Sequence, residues 1–210
     1  MDAVPRLRRR PRARQRQDHP GTRIGVPRRG LERHQGGRGD VRLDRCGHVV
    51  QRARRAIFHE AIAAADLLRG DWGVHADLWS CPSFTELARD GNAAARWNLL
   101  HPDEAPRRAH VTHCLADTRG PVIAATDYVR ALAEQIRPFV PRAYTVLGTD
   151  GFGRSDTREK LRHFFEVDRR WITLAALKAL VEEGALERGV LHQAIEKYGI
   201  DPEKPNPLHA

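Results

Sequence analysis

The sequence is poor in cysteine and contains no long apolar run, and both absences restrict its class. The three thiols, Cys46, Cys81 and Cys114, are widely spaced and include no CxxC pair, so neither a zinc ribbon nor a disulfide framework is predicted. No apolar stretch approaches the ~20 residues of a bilayer span, and none follows the first basic residues as it would in a signal peptide. Free thiols in a reducing cytoplasm, with no membrane partner, are therefore expected.

Lysine is absent from residues 1–55, although this quarter of the chain is strongly basic. It holds 17 Arg against five acids, a net charge of +12, whereas residues 56–210 carry −3 and the whole chain carries +9. Proline and glycine recur in this segment and its apolar residues are isolated. Such a segment cannot bury enough surface to offset the entropy lost on ordering it. We therefore predict that residues 1–55 form a disordered, Arg-rich segment, separate from a domain at 56–210.

Three origins of this segment stay open. An arm could bind nucleic acid through non-specific contacts between arginine and phosphate, for example at Arg8-Arg9-Arg10. A transit peptide fits less well, because acids are present and serine is scarce. Misframed translation of a GC-rich gene would give arginine without lysine, mixed with Gly, Pro and His, and we favour it over the arm.

Residues 56–210 alternate between helical and strand patterns, which is typical of an α/β domain with a mostly parallel sheet. Apolar residues at helical spacing indicate helices, and short apolar runs bounded by turn residues indicate strands. Ser83 and Glu86 form the pattern of a capping box, and the helix that they start is expected to stop near Gly91. Helices are predicted at about 57–69, 83–91, 93–100, 110–116, 127–136, 156–165, 172–181 and 186–198, and strands at 74–79, 121–126 and 144–147.

Two stretches have the residue types of a binding site. Gly148–Gly153 lies between a predicted strand and a predicted helix, where phosphate-binding loops occur, but it matches neither GxGxxG nor GK[ST]. A tight turn or close packing is the preferred interpretation. His110, His113 and Cys114 could bind a metal from one face of a helix, but no further ligand has convincing spacing. A solvated helix face is favoured there.

The remaining polar candidates have structural explanations. His163 is adjacent to two phenylalanines and is interpreted as packing at a domain boundary. Ser155 and Asp156 suit the cap of a helix better than catalysis. The motifs GxSxG and HExxH and a paired-carboxylate motif are absent. The residues themselves therefore assign no catalytic, cofactor-binding or metal-binding position.

Several strings resemble the last domain of the homodimeric bacterial pyruvate dehydrogenases, the thiamine-diphosphate-dependent, acetyl-transferring family. The most specific is Val146-Leu-Gly-Thr-Asp-Gly-Phe-Gly-Arg-Ser-Asp156, which continues to Asp168. The others are Ser83–Gly91, Arg96–Pro102 and Gly199–Pro207. The likeness covers residues 56–210 nearly continuously.

The resemblance implies a three-layer, transketolase C-terminal-like α/β domain. Family enzymes use thiamine diphosphate and magnesium to decarboxylate pyruvate, and they pass the acetyl unit to a lipoyl group on a dihydrolipoyl acyltransferase. Their cofactor lies between the first two of three domains in a cytoplasmic homodimer, and the residues that bind it are not in this sequence. The chain is therefore expected to be a C-terminal fragment that is inactive alone and binds no cofactor. It would support the remaining domains of its own subunit and a second copy, with residues 148–156 meeting neighbouring domains.

The N-terminal side departs from the family pattern. In the family, a strand such as VQLLGSG leads into the helix at Ile57, whereas here Val50-Gln51 is followed by Arg52-Ala-Arg-Arg55. Arginine side chains cannot fill a buried strand without a desolvation cost. We therefore predict that the first strand is missing or degraded. Its neighbours would then have unpaired backbone groups, and the domain would be prone to association.

Overall fold

The computed structural model describes residues 46–52 and 55–209, and for residues 46–52, 55 and 56 it describes the backbone alone. Disorder is predicted over residues 1–55. Residues 1–45, and the three origins considered for the segment, lie outside the described residues, whereas residues 46–52 form a strand, so the domain begins before the predicted boundary at residue 56. No helix in the described part of the chain is long and apolar enough to cross a membrane.

The sheet has four strands, all parallel, in the spatial order β2-β1-β3-β4. The mostly parallel α/β architecture predicted from the sequence is confirmed. All four residues of β3 are buried, as expected for an apolar run without alternation that is covered on both faces. The strands are β1 Cys46–Arg52, β2 His75–Cys81, β3 Val122–Ala125 and β4 Tyr144–Leu147.

The expectation that the first strand is missing is wrong, because β1 lies in the sheet between β2 and β3. Its His48 is paired with Asp77 on one side and with Val122 on the other. Any residue except proline can both donate and accept a backbone hydrogen bond, so arginine at a strand end does not prevent the ladder from forming. Val49 and Val50 are also favourable strand residues. The second part of the expectation, that this strand is degraded, concerns the side chains of β1, which lie outside the described residues.

The helices begin and end close to the predicted positions in most cases. The long helix after the first strand, the helix around His110 and the two helices of the C-terminal region are confirmed. The helix predicted over 127–136 is shorter, and a 3-10 turn at Arg137–Phe139 follows it. The helices are α1 Arg55–Trp72, α2 Phe84–Leu100, α3 His110–Leu115, α4 Arg130–Glu134, α5 Arg158–Phe164, α6 Arg169–Glu182 and α7 Gly189–Lys197.

Helix α2 is continuous where the sequence predicts a break. Ser83 caps it as expected, since its side chain accepts a hydrogen bond from the amide of Glu86 at 3.2 Å. Gly91 does not end the helix. A Cβ atom at Gly91 would lie 2.3 Å from Cδ2 of Phe139, so glycine at this position permits close packing of the helix on an aromatic ring.

The sheet separates two apolar clusters, which confirms the three-layer arrangement. Ile123 and Ala125 of β3 belong to the cluster under α1 and α6, and Val122 and Ala124 belong to the cluster under α2, α3 and α4. The alternation follows from the two-residue period of a strand. Helix α6 contacts β3 and β4 directly, and α7 packs mainly on α6. Other buried members of the two clusters are Ile57, Leu68, Ile172, Leu177 and Leu180 in the first, and Phe84, Leu115, Ile136 and Tyr144 in the second.

Candidate functional site

The carboxyl edge of the sheet, where the parallel strands end, is the usual ligand-binding side of an open α/β fold. Here the loop after β4 folds back on the start of α4. The carboxylate of Asp150 accepts a hydrogen bond from the backbone amide of Arg130 at 2.9 Å and a second from the guanidinium of the same residue. The amide of Thr149 donates to the carbonyl of Tyr128 at 3.0 Å. The loop is therefore fixed by its own chain.

The glycines of this loop serve close packing. A Cβ atom on Gly148 would lie 2.7 Å from the carbonyl oxygen of Tyr128. Gly151 has φ +114°, and a Cβ atom there would lie 2.2 Å from the carbonyl oxygen of Pro207. The space at each position is filled by backbone of the same chain, which supports the packing interpretation over a phosphate cradle.

Residues 201–208 cross this loop as a strap, and Lys204 and residues 206–208 line one side of a half-open cavity of about 270 Å³. Two ion pairs line it, Arg130 with Asp150 and Lys204 with Glu166, the second at 3.0 Å. Each charge in these pairs already has a partner of opposite sign. The cavity therefore offers no unbalanced charge to a ligand.

A buried carboxylate links three helices at the same edge. Glu60 of α1 is only 8% exposed. It accepts hydrogen bonds from the amide and the Nε of Arg169 at 3.1 and 2.9 Å, and from Nη1 of Arg162 at 3.3 Å. Burial alone would raise the pKa of Glu60, but the hydrogen bonds and positive charges of Arg169 and Arg162 outweigh it and lower that pKa. Arg162 also reaches Asp127 at 3.5 Å. This network holds the carboxyl edge together.

His163 and the residues before α5 have structural positions. Nδ1 of His163 lies 3.0 Å from a carboxylate oxygen of Asp168, whose other oxygen caps α6 by accepting from the amides of Arg170 and Trp171. The side chain that caps α5 is Thr157, one residue after the predicted pair Ser155 and Asp156. Asp156 instead accepts from the amide of Thr157 at 2.7 Å.

The candidate metal residues are only partly brought together. Sγ of Cys114 lies 3.4 Å from Nε2 of His110, and burial raises the pKa of the Cys114 thiol. His113 lies on the solvent side of α3. Among the residues whose side chains are described, no group of three His, Cys, Asp or Glu could hold a metal ion.

The loop after β4 does not fit a thiamine diphosphate site. Magnesium and a diphosphate need oxygen ligands and amide or cationic donors that are not already engaged. At the carboxyl edge, Asp150 is bound to Arg130, and the turn at Gly151 is filled by Pro207. No residue of this loop can therefore be assigned to the cofactor.

Sequence reasoning did not identify the exposed apolar side chains. Phe152, in the loop after β4, is 77% exposed, and Leu99 and Leu100 at the end of α2 are 79% and 53% exposed. An apolar stripe on a helix usually indicates burial, and only the packing of the folded domain shows which positions remain uncovered.

A family model described as the transketolase-like TK C-terminal domain matches residues 52–168. The pyruvate dehydrogenase E1 component of Cupriavidus necator is 72% identical over 152 residues, which are 72% of this chain and 17% of that protein. The E1 component of Pseudomonas aeruginosa is 59% identical over 162 residues, 77% of this chain and 18% of that protein. The chain thus spans less than a fifth of the length of these relatives. The matches confirm the resemblance of residues 56–210 to the bacterial pyruvate dehydrogenases.

A solved structure described as a split-gene transketolase, an inactive beta4 tetramer, is also similar. The aligned region covers 69% of this chain and 42% of the transketolase chain, at 18% identity and a TM-score of 0.44.

Proposed function

The chain belongs to the transketolase-like C-terminal domain family, and from this we propose that it acts as the C-terminal domain of a pyruvate dehydrogenase E1 component. The observation that carries the proposal is 72% identity over 152 residues to one such component. Its role is to pack against the other domains of the subunit and to support a homodimer. Thiamine diphosphate and magnesium are bound by domains outside this sequence.

The polar groups at the carboxyl edge support a packing role. In a catalytic site, carboxylates and cations face a reacting molecule, whereas here Glu60 and Asp150 are engaged by arginines of the same chain. The exposed apolar side chain in the loop after β4, Phe152, favours contact of residues 148–156 with a neighbouring domain.

The chemistry of the assembled enzyme is part of the proposal. In a soluble, cytoplasmic complex it would decarboxylate pyruvate and transfer the acetyl group to a lipoyl group of a dihydrolipoyl acyltransferase. This domain would keep the cofactor-binding domains in place without contacting the reacting atoms.

Two measurements test the proposal. The 210-residue chain, supplied with thiamine diphosphate, magnesium and pyruvate, should release no carbon dioxide above a blank, and turnover would refute the assignment of a packing role. In a second assay, residues 56–210 replace the matching segment of the Cupriavidus necator E1 component. The chimera should retain pyruvate-dependent activity, and a folded but inactive chimera would contradict the proposal.

A further inference from the structure

The second half of α2 extends beyond the body of the domain. The buried residues of this helix are Phe84, Ala88 and Gly91, and no residue from 92 to 100 is buried. A helix of 17 residues is about 25 Å long. Gly91, near its middle, already packs on Phe139 in the segment that leads into the start of β4, so the second half of α2 extends past that point.

The buried contacts of α2 with the layer beneath it lie in the first half of the helix. Gly91 packs on the ring of Phe139, and a carboxylate oxygen of Asp90 accepts from the amide of His110 at 2.6 Å. Beyond these residues the helix continues towards the edge of the sheet at which the strands begin, because α2 starts where β2 ends and runs back.

The projecting end is braced by the segment that follows it. Asn98 makes two hydrogen bonds with the backbone of Arg107, at 2.9 and 2.7 Å. The ring of Trp97 is stacked on His101 at a centroid distance of 3.5 Å, and the guanidinium of Arg107 lies 3.3 Å from the centre of the Trp97 ring. This bracing fixes the helix end, yet Leu99 and Leu100 remain exposed. Adjacent exposed apolar side chains on a fixed helix end are suited to contact with another protein surface.

We propose that the end of α2, presented by Leu99 and Leu100, is the docking surface for the part of the E1 subunit that precedes this domain. The inference rests on the function proposed above. Strand β1 begins at Cys46, opposite His75, the first residue of β2, so the chain enters the sheet at the edge towards which α2 projects. In the relatives, more than four-fifths of the polypeptide lies outside the matched region, and for a C-terminal domain that portion comes before β1. It therefore joins the domain at the same edge of the sheet as the end of α2.

The test measures binding of the 210-residue chain to the purified portion of the Cupriavidus necator E1 component that precedes the matched region, by calorimetric titration, once circular dichroism and thermal melting have established that this portion is folded. The double variant Leu99→Glu/Leu100→Glu is expected to lose ~10-fold or more in affinity, as for residues at the centre of an interface. Ile62→Glu is the matched control. It places one glutamate at an exposed apolar position of α1 and should bind within about twofold of the wild type, as residues outside an interface do.

Thermal melting establishes that each variant is folded. If the double variant melts early, Leu99→Ser removes the more exposed side chain without adding charge and should show a smaller loss in the same direction. Equal affinity of the wild type and the leucine variants would refute the docking surface without contradicting the proposed function. Failure of the wild type to bind would contradict both. Loss of a self-associated form alone, seen by sedimentation equilibrium, would assign the surface to a second copy and overturn the proposal.

Discussion

Glu60 and Arg169 are separated by 109 residues and are joined by three hydrogen bonds. The backbone amide and the guanidinium of Arg169 donate to the carboxylate, so the first turn of α6 is fastened to α1. Arg162 of α5 is the third member of the group and also forms an ion pair with this carboxylate. One buried carboxylate thus determines how three helices meet at the carboxyl edge of the sheet.

Replacing this carboxylate should weaken the fold more than replacing a surface partner. Glu60→Gln leaves Arg162 and Arg169 without their counter-charge, and we expect it to lower the free energy of unfolding by about 3 kcal/mol. Glu86→Gln is the control, because its ion pair with Arg89 is exposed and should contribute about 0.5 kcal/mol or less. Urea denaturation measures both. Equal losses in the two variants would contradict the structural role of Glu60.

The lowered pKa of Glu60 predicts a loss of stability in acid. The ordinary pKa of a glutamate is 4.5, so on acidification the unfolded chain takes up this proton before the folded chain does. Stability should therefore be independent of this group above pH ~4.5 and fall as the pH decreases further. Asp71, whose pKa Lys197 lowers through a hydrogen bond, acts in the same direction. Urea midpoints between pH 7 and 3 should decline less steeply in Glu60→Gln, and parallel curves would exclude Glu60 as a cause.

Two helical glycines should respond oppositely to alanine. Gly91→Ala places a Cβ atom 2.3 Å from Phe139, and overpacking of this kind costs about 1–3 kcal/mol. Gly70→Ala in α1 meets no atom within 4 Å and should gain up to about 1 kcal/mol from helix propensity. Thermal melting compares the two variants. Stabilisation by both would show that the contact between Gly91 and Phe139 does not restrict the helix.

Gly91 also illustrates which parts of the fold could be predicted from the sequence. The cap at Ser83 and the apolar run of β3 depend on neighbouring residues, and both are confirmed. Whether a glycine ends a helix depends on what lies across from it, and Phe139 is 48 residues away in the sequence. The sequence pattern around Gly91 therefore does not predict its contact with Phe139.

The first strand was mispredicted for a related reason. Arg52 and the residues after it favour an unburied segment, but a position between β2 and β3 offers backbone partners on both sides. The sheet therefore outweighs local composition. The same limit applies to the candidate site. The pairing of Glu60 with Arg169 and the exposure of Leu99 both follow from tertiary packing alone.

Deprotonation of Tyr198 should lower the stability of the fold at high pH. Its hydroxyl donates to Asp71 at 2.9 Å and accepts from Nε1 of Trp72 at 2.8 Å. Burial, together with the hydrogen bond to Asp71 and its negative charge, raises the pKa of Tyr198 to about 12. The unfolded chain loses this proton at about pH 10, so the contribution is complete below that pH and is lost as the pH rises towards 12. Wild-type urea midpoints should fall more steeply than those of Tyr198→Phe between pH 9 and 11, and equal slopes would exclude this coupling.

The contact between Gly151 and Pro207 should control the C-terminal strap. Gly151→Ala requires an L-residue at φ +114° and pushes a Cβ atom against the carbonyl of Pro207, 2.2 Å away, so the strap must lift to relieve the clash. Gly153→Ala, two residues further on, meets no atom within 4 Å and has no such φ restriction. Carboxypeptidase digestion, followed by mass spectrometry, should remove residues beyond Lys204 several times faster from Gly151→Ala than from the wild type, because an opened segment is cleaved in proportion to its open population. Gly153→Ala should be digested at the wild-type rate. If both variants are digested at that rate, the strap is held by Lys204 and Glu166 rather than by its fit over Gly151.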